Sequence, residues 1–240
     1  MSILQVSKRA SVRIAREVKE YELDAAPTED SLKRMKSQGI DIYTFLERKW
    51  CCPIANPSKN WAKALDNVAL LEIKDYATWW NIVGKKTRNM VKKAEKSGVK
   101  VSVIEPSDLL AEGISKIYNE TPIRQERAFT HYGEPLETVK GNIYANAANS
   151  TFIAAHLDNE LVGFIQIIYG NNIAIISQIL AMQKHWDKAV NNATLAKAVE
   201  VCAQRGQHWL MYGRIGNHPS LDRFKESNGF VSYQINRYYV

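Results

Sequence analysis

Three consecutive apolar segments in the middle of the chain constrain its fold most strongly. They are TFIAAHLD, ELVGFIQIIYG and NIAIISQILAM, and the short links DNE and GNN join them. Links of this length and composition form tight turns, and tight turns join antiparallel strands. The sequence therefore predicts three adjacent antiparallel strands between residues 151 and 182.

Helical and strand patterns flank these three strands on both sides. Before them, VKVSVIE predicts a strand, Ser107 caps a predicted helix, DLLAEGISKIYNE, and LETVKGNIYANAA predicts a second helix. After them, an apolar stripe at helical spacing predicts a helix that ends at Gly206, followed by the strand HWLMYGRI, the helix PSLDRFKESNG and the strand FVSYQINRYYV. The predicted order from residue 99 is β, α, α, β, β, β, α, β, α, β, an α/β (α+β) fold with a mixed, mostly antiparallel sheet.

The first part of the chain has a weaker pattern. NVALLEI predicts a strand, and DYATWWNIVGKKTRNMVKKAEKSG predicts one helix. Residues 1–66 combine charged helical pieces with a loop rich in Pro and Asn, KWCCPIANPSKNW. We therefore predict a smaller helical and loop region over 1–66 and a main domain over 67–240, with its core at 99–240.

Composition places the chain among globular proteins, because 45% of its 240 residues are hydrophobic and 24% are charged. Its longest apolar runs are far shorter than the roughly 20 residues of a membrane span. The N-terminus lacks an apolar secretory core, and Cys51, Cys52 and Cys202 have no framework spacing, so we expect reduced thiols and a cytoplasmic protein. The net charge of +7 suits anionic partners without selecting one.

The element order over residues 99–240 resembles the GNAT acyltransferase fold, and three further segments make the likeness closer to its Fem-type branch. These segments are KKTRNMVKKAEKSGVKV, NETPIRQERAFTHYG and FKESNGF, which follow one another in the same order as in that branch. The resemblance implies transfer of an acyl or aminoacyl group from a thioester or ester donor to an amine. Two features depart from the family: QKHWDKAVNN has no glycine where a phosphate-binding loop is usual, and Lys225 stands about where a tyrosine acid would fall.

The segment QKHWDKAVNN is the candidate donor site. A helix N-terminus presents free N–H groups and a partial positive charge, so it binds anions without glycine if side chains leave room. We expect the phosphates of an acyl-CoA co-substrate to lie near Lys184, Lys188, Asn191 and Asn192. The alternative is that an asparagine only caps the helix and that the segment merely joins two elements.

Acyl transfer to an amine requires a base, and His185 and Asp187 stand two residues apart in that segment. We predict that one of them is the catalytic base and that Tyr212, near the end of the next strand, donates a proton to the leaving group. The alternatives are an ordinary surface turn and a packed tyrosine.

A polar segment without helical or strand period, TPIRQERAFTHYG, is the candidate specificity loop. Its predicted substrate-binding residues are Arg124, Gln125, Arg127, His131 and Tyr132. The two arginines could bind a carboxylate or phosphate in bidentate fashion, whereas the aromatic residues could simply pin the loop to the core. Further substrate contacts are predicted from Gln178, Arg214 and Lys225.

The helix over residues 85–96 has one strongly basic face, formed by Lys85, Lys86, Arg88, Lys92, Lys93 and Lys96. Such a face binds tRNA phosphates or is simply the solvated side of an amphipathic helix. The histidine and cysteine spacings predict no metal site, and no P-loop or dinucleotide fingerprint occurs.

Three functions therefore remain open. The first is an N-acyltransferase that uses an acyl-CoA type thioester and a small amine acceptor such as an amino sugar or amino acid. The second is a Fem-type aminoacyltransferase that uses aminoacyl-tRNA. The third is a GNAT-like binding module without catalysis.

Overall fold

The computed structural model describes residues 4–17, 27–47, 60–145, 147–170, 172–216 and 218–240. The predicted loop KWCCPIANPSKNW, with its two cysteines, lies outside the described residues except for positions 60 and 61. No helix among the described residues has the length and apolar character required to cross a membrane.

The strands are β1 (Leu4–Arg9), β2 (Val12–Glu17), β3 (Ile42–Leu46), β4 (Ala62–Glu72), β5 (Lys100–Ile104), β6 (Ile123–Arg124), β7 (Arg127–Ala128), β8 (Ser150–Leu157), β9 (Glu160–Tyr169), β10 (Ile173–Ala181), β11 (Trp209–Met211) and β12 (Val231–Tyr239). The helices are α1 (Glu29–Ser37), α2 (Tyr76–Ile82), α3 (Lys85–Lys96), α4 (Asp108–Tyr118), α5 (Leu136–Ala145), α6 (Val190–Gln204) and α7 (Pro219–Ser227). A 3-10 turn, Gln183–Lys188, joins β10 to α6.

The described strands form one ten-stranded sheet in the order β1-β2-β3-β12-β4-β11-β10-β9-β8-β5, together with a separate hairpin of β6 and β7. The predicted antiparallel pairings β8–β9 and β9–β10 are confirmed. β10 and β11 are parallel neighbours, because α6 crosses over between them. The sheet is thus mixed and mostly antiparallel, and the predicted element order from residue 99 is confirmed.

Helices cover both faces of the central sheet, and the alternation of strand residues explains why. On β9, Ile165 and Ile167 pack in a core with residues of α2, α3 and α6, whereas Val162 and Phe164 pack on the opposite face with α4 and α5. Successive strand side chains point to opposite faces, so a strand buried on both sides is apolar throughout. The central strands are therefore held between two helical layers.

The prediction of a single helix over residues 75–98 is wrong in one respect, because the segment forms two helices, α2 and α3. Val83 adopts an extended backbone and Gly84 is the N-cap of α3. Arg88 donates to the carbonyls of Trp80 and Val83, which lack helical partners at the end of α2. This arginine is thus used in the structure and does not contribute freely to the basic face.

The prediction of helical pieces and loop for residues 1–66 missed strands β1, β2 and β3, which extend the edge of the same sheet. The apolar alternation of β1 is limited to Leu4 and Val6 before two basic residues, and the strand is almost entirely exposed, so the signal for a strand is short. The predicted boundary at residue 66 falls inside β4, and division into two regions stays a prediction.

The hairpin of β6 and β7 was not predicted either. Its turn residues Gln125 and Glu126 have φ of 52° and 63°, a left-handed conformation that hairpin turns require and that glycine or asparagine usually supplies. Without those residues the sequence does not signal the turn.

Candidate functional site

A cavity opens where β10 and β11 diverge. The two strands pair only between Ile173–Ile175 and Trp209–Met211, after which β10 continues beside β9 alone. The opening holds about 520 Å³. Its walls come from the β6–β7 hairpin, the end of β10, the start of α6, Tyr212 and α7. The opening therefore lies between the two strands that α6 connects.

The N-terminus of α6 forms one wall of this cavity. The predicted cap at Asn191 or Asn192 is wrong, because the N-cap is Ala189, which has a left-handed φ of 55°. Both asparagines instead lie in the first helical turn and line the cavity. The Oδ1 atom of Asn191 is buried and has no hydrogen-bond partner among the described residues. The positive end of the helix thus faces the opening together with side-chain amides.

The backbone N–H groups in the first half of the turn before α6 already have hydrogen-bond partners within the protein. The carboxylate of Glu120 accepts the backbone N–H of Gln183 at 2.6 Å and that of Lys184 at 3.0 Å. The ammonium of Lys184 lies 3.0 Å from Glu160, and that of Lys188 lies 3.5 Å from Asp187. Neither predicted donor-binding lysine lines the cavity, because each lies on the outer side of the turn beside a carboxylate.

The predicted catalytic pair also lies off the cavity wall. Trp186, between the two residues, lines the opening, whereas His185 and Asp187 do not. The Nδ1 atom of His185 is buried without a partner among the described residues. The side chain of Asp187 is 71% exposed beside Lys188. Trp186 is 56% exposed, so its ring lies at the mouth of the cavity.

Tyr212 does line the cavity, and burial raises the pKa of its phenol, so the hydroxyl is protonated at neutral pH. The ammonium of Lys225 lies 4.5 Å from the centre of the Tyr212 ring and donates to the carbonyl of Arg214. Burial lowers the pKa of Lys225 to about 8. Lys225 thus supports the tyrosine from behind the cavity wall.

Arg214, a predicted substrate contact, has a structural partner. Its Nε lies 2.9 Å from Asp66, and Asp66 also receives Arg237 at 2.9 Å. Arg214 does not line the cavity. The arginine therefore ties the segment after β11 to β4.

The β6–β7 hairpin is fixed over the end of β10 by Arg124. This arginine lines the cavity, but its guanidinium donates to Ala181 O at 2.9 Å and Ile117 O at 2.7 Å and pairs with Glu120 at 3.2 Å. Its terminal nitrogens are therefore engaged within the protein, whereas Nε has no hydrogen-bond partner among the described residues. Gln125 also lines the opening.

Arg127 and Tyr132 are two further predicted substrate-binding residues of this segment. Both are exposed and do not line the cavity. Arg127 pairs with Arg124 in the short hairpin ladder. The structure therefore places both at the surface beside the hairpin.

A hydrogen-bonded chain of four side chains lies on the face of β10 that α4 covers. Tyr118 donates to Gln178 Oε1 at 2.7 Å, Gln178 Nε2 lies 3.1 Å from His131 Nε2, and His131 Nδ1 lies 2.8 Å from Glu134. Since a carboxylate only accepts, Nδ1 carries the hydrogen and Nε2 of a neutral imidazole accepts from Gln178. The rings of Tyr118 and His131 stack at 4.6 Å. The structure thus unites two predicted residues, His131 and Gln178.

Sequence reasoning missed Glu120, Tyr118 and Glu134. A carboxylate three residues after His131 is a local signal that could have indicated Glu134, but the contacts of Glu120 reach 63 residues along the chain to Gln183. Among the described residues, no group of three or more His, Cys, Asp and Glu side chains is arranged to hold a metal ion.

The comparisons with known proteins agree with this architecture. A model of the acetyltransferase (GNAT) family matches residues 113–230. No curated protein is similar enough in sequence to match the chain.

Solved structures share the fold at low identity. L-PGS from Bacillus licheniformis has a TM-score of 0.65 at 16% identity, over 98% of this chain and 80% of that one. The C-terminal domain of a putative lysylphosphatidylglycerol synthetase from Agrobacterium fabrum has a TM-score of 0.66 at 11% identity, over 98% and 80%. FemX has a TM-score of 0.58 at 10% identity, over 98% and 83%. The chain is thus similar to the GNAT family over residues 113–230, and it shares its fold with FemX.

Proposed function

We propose that the protein transfers an acyl group from a thioester or ester donor to an amine in the cavity between β10 and β11. The observation that carries this proposal is the position of α6, whose N-terminus and first-turn asparagines face an opening of about 520 Å³ in a GNAT fold. Acyl-CoA is the first donor to test.

The anionic end of the donor is held by helix amides rather than by lysines. Among the described residues that line the cavity, Arg124 alone carries a charge, and its terminal nitrogens are already used by backbone carbonyls. The N–H groups at the start of α6 that have no intrahelical partner are the available donors, whereas the unpaired Oδ1 of Asn191 is an acceptor. This arrangement suits phosphate or carbonyl oxygens without glycine.

Tyr212 is the proposed proton donor. The amine nitrogen forms a bond to the acyl carbon, and the bond from that carbon to the donor sulfur or oxygen then breaks with its electron pair. The leaving atom takes the phenolic proton of Tyr212, which burial keeps on the oxygen at neutral pH. Solvent then returns a proton to the tyrosine.

A second donor, aminoacyl-tRNA, is supported by α3. Lys85, Lys86, Lys92, Lys93 and Lys96 are exposed. Their ammonium groups form no ion pair with any of the described residues. α3 packs against α6 and approaches the turn Gln183–Lys188 at the cavity. An RNA phosphate backbone on this face would carry its esterified end toward the opening.

The experiment measures the binding of acetyl-CoA by calorimetry and the formation of acetohydroxamate from acetyl-CoA and hydroxylamine. Saturable binding with turnover supports a thioester donor. Binding of charged tRNA without affinity for acetyl-CoA supports the aminoacyl ester. Absence of both ligands leaves a binding module and overturns the proposed transfer.

A further inference from the structure

One buried glutamine beside the polar chain has an unpaired amide. Gln166 of β9 stands directly opposite Gln178 of β10, so both side chains lie on the face that α4 covers. Gln166 is 8% exposed, and its Nε2 is buried without a hydrogen-bond partner among the described residues. Buried amides are almost always paired, so an unpaired donor here indicates a group that the site is built to receive.

The unpaired amide of Gln166 lies among apolar side chains. Phe152 and Phe164, which flank Gln166 on the same face of the sheet, are 1% and 0% exposed. A glutamine in this apolar layer costs desolvation energy that no contact within the described chain returns. The register of β10 shifts between Ile176 and Gln178, and such irregularities redirect side chains beside active sites.

We infer that Gln166, Gln178, Tyr118 and His131, which adjoin the cavity through the lining residues Thr130 and Ile179 without lining it themselves, form the binding site for the acceptor. The acceptor is an amine that carries a neutral hydroxyl or amide oxygen. This inference rests on the proposed acyl transfer and extends it to the acceptor. The amide of Gln166 donates to the neutral oxygen. Glu134 holds His131 in the tautomer whose Nε2 accepts a hydrogen bond. In the complex, the substrate amine takes the place of the Gln178 amide as the donor to Nε2.

The charges of the cluster favour a neutral oxygen over a carboxylate. The amide of Gln166 is the donor that has no partner among the described residues, and Glu134 is the charged member of the chain when His131 is neutral. A substrate carboxylate would meet amide dipoles and the repulsion of Glu134, whereas a sugar hydroxyl or a carboxamide meets matched donors. Amino sugars and amino-acid amides fit this chemistry.

With His131 as the base, every proton in the transfer is accounted for. As the amine nitrogen bonds to the acyl carbon, its N–H proton passes to Nε2 of His131, and the imidazolium is stabilised by Glu134. The leaving sulfur or oxygen takes its proton from Tyr212. His131 then releases its proton to solvent.

Binding is tested without any donor, so that the result does not depend on the transfer reaction. D-glucosamine is titrated into the ¹⁵N-labelled protein while the side-chain NH₂ signal of Gln166, assigned by its loss in Gln166→Met, is observed. We expect a saturable shift of that signal with D-glucosamine or glycinamide and none with n-propylamine, which has no oxygen. Absence of a shift with both oxygen-bearing amines, or equal shifts with all three, overturns the inferred site.

Gln207→Met is the matched control, because Gln207 also has an unpaired buried amide atom but lies beyond the far end of α6. Gln166→Met should weaken glucosamine binding about tenfold, the usual effect of removing one hydrogen bond, while Gln207→Met leaves the affinity unchanged. Equal reductions in affinity in both variants would indicate a general effect on packing and contradict the assignment.

Once a donor is known, His131→Phe separates catalysis from structure, since phenylalanine keeps a ring to stack on Tyr118. We expect kcat to fall at least about a hundredfold, with a small change in the KM for glucosamine. A change in KM alone would give His131 a positioning role only. If glucosamine binds but neither acetyl-CoA nor charged tRNA supports transfer, the proposed function fails while the binding site stands.

Discussion

The carboxylate of Glu120 accepts the backbone N–H of Gln183 at 2.6 Å, which joins the end of α4 to the turn that follows β10. The same carboxylate receives Lys184 N–H and the guanidinium of Arg124. One partly buried acid therefore fixes the hairpin, the turn and the edge of the cavity in a single arrangement. These contacts border the cavity, which Arg124 and the start of α6 both line.

Replacing this carboxylate should loosen that edge. We expect Glu120→Gln to lower the free energy of unfolding by about 1–3 kcal/mol, because two backbone donors and a buried guanidinium lose their charged partner. Urea denaturation measures the change. Glu126→Gln, at the exposed turn of the hairpin, should change it by less than about 0.5 kcal/mol; equal effects would show that Glu120 has no special role.

The close approach of β9 and α6 explains a glycine. A Cβ at Gly163 would lie 2.5 Å from Val190 Cγ1 and 3.1 Å from Leu180 O. We therefore expect Gly163→Ala to destabilise the protein by about 1–3 kcal/mol and to displace the start of α6. Gly141→Ala is the control, since nothing lies within 4 Å of its Cβ, and a helical alanine should add up to about 1 kcal/mol. Chemical denaturation of both variants decides the point.

Lys225 should give the stability an alkaline dependence. Burial lowers its pKa to about 8, whereas an unfolded lysine titrates near pH 10.4. Between these values the unfolded state binds more protons, so the free energy of unfolding rises with pH by up to about 1.4 kcal/mol per unit from this group. Below pH 8 both states are protonated, and the contribution is constant.

The measurement compares wild type with Lys225→Met in urea denaturation between pH 8 and 10.5. The variant should show a smaller slope over this interval, whereas Lys92→Met, on the exposed face of α3, should match wild type. Parallel slopes for all three proteins would mean that Lys225 is not perturbed by burial.

Tyr212→Phe tests the proposed acid. The phenyl ring preserves the packing against Phe230 and the contact with Lys225 but has no proton to donate. We expect kcat for acyl transfer to fall about a hundredfold with little change in KM for the donor. The hydroxamate assay measures both constants. A variant that retains full kcat would remove Tyr212 from the mechanism.

Neutralising the basic face of α3 should weaken RNA binding. We expect the fourfold variant with Gln at positions 85, 86, 92 and 93 to bind charged tRNA less tightly and to lower the salt dependence by about 0.7–0.9 for each phosphate that the face no longer neutralises. Filter binding at several salt concentrations gives the slope. Lys33→Gln with Lys36→Gln, on α1, should leave the slope unchanged. Should both sets of variants behave alike, the binding reflects net charge and α3 is not a docking face.

The core of the fold was readable from the sequence because its signals are local. Apolar runs and short links predicted β8, β9 and β10, and apolar spacing predicted α4 and α6. The same reading failed where the signal was absent or misleading. The turn at Gln125 and Glu126 has no glycine, and Gly84 divides a helix whose apolar stripe looked continuous.

By itself, then, the sequence determined the central strands, the helices that cover them and the position of the segment that leads into α6. Only the tertiary structure decided that Lys184 and Lys188 lie beside carboxylates, that Trp186 rather than His185 lines the cavity, and that Arg124 is held by backbone carbonyls. The physical reason is that periodicity arises from neighbours in the chain, whereas the direction of a polar side chain in a turn depends on partners such as Glu120 and Glu160, which only folding brings near.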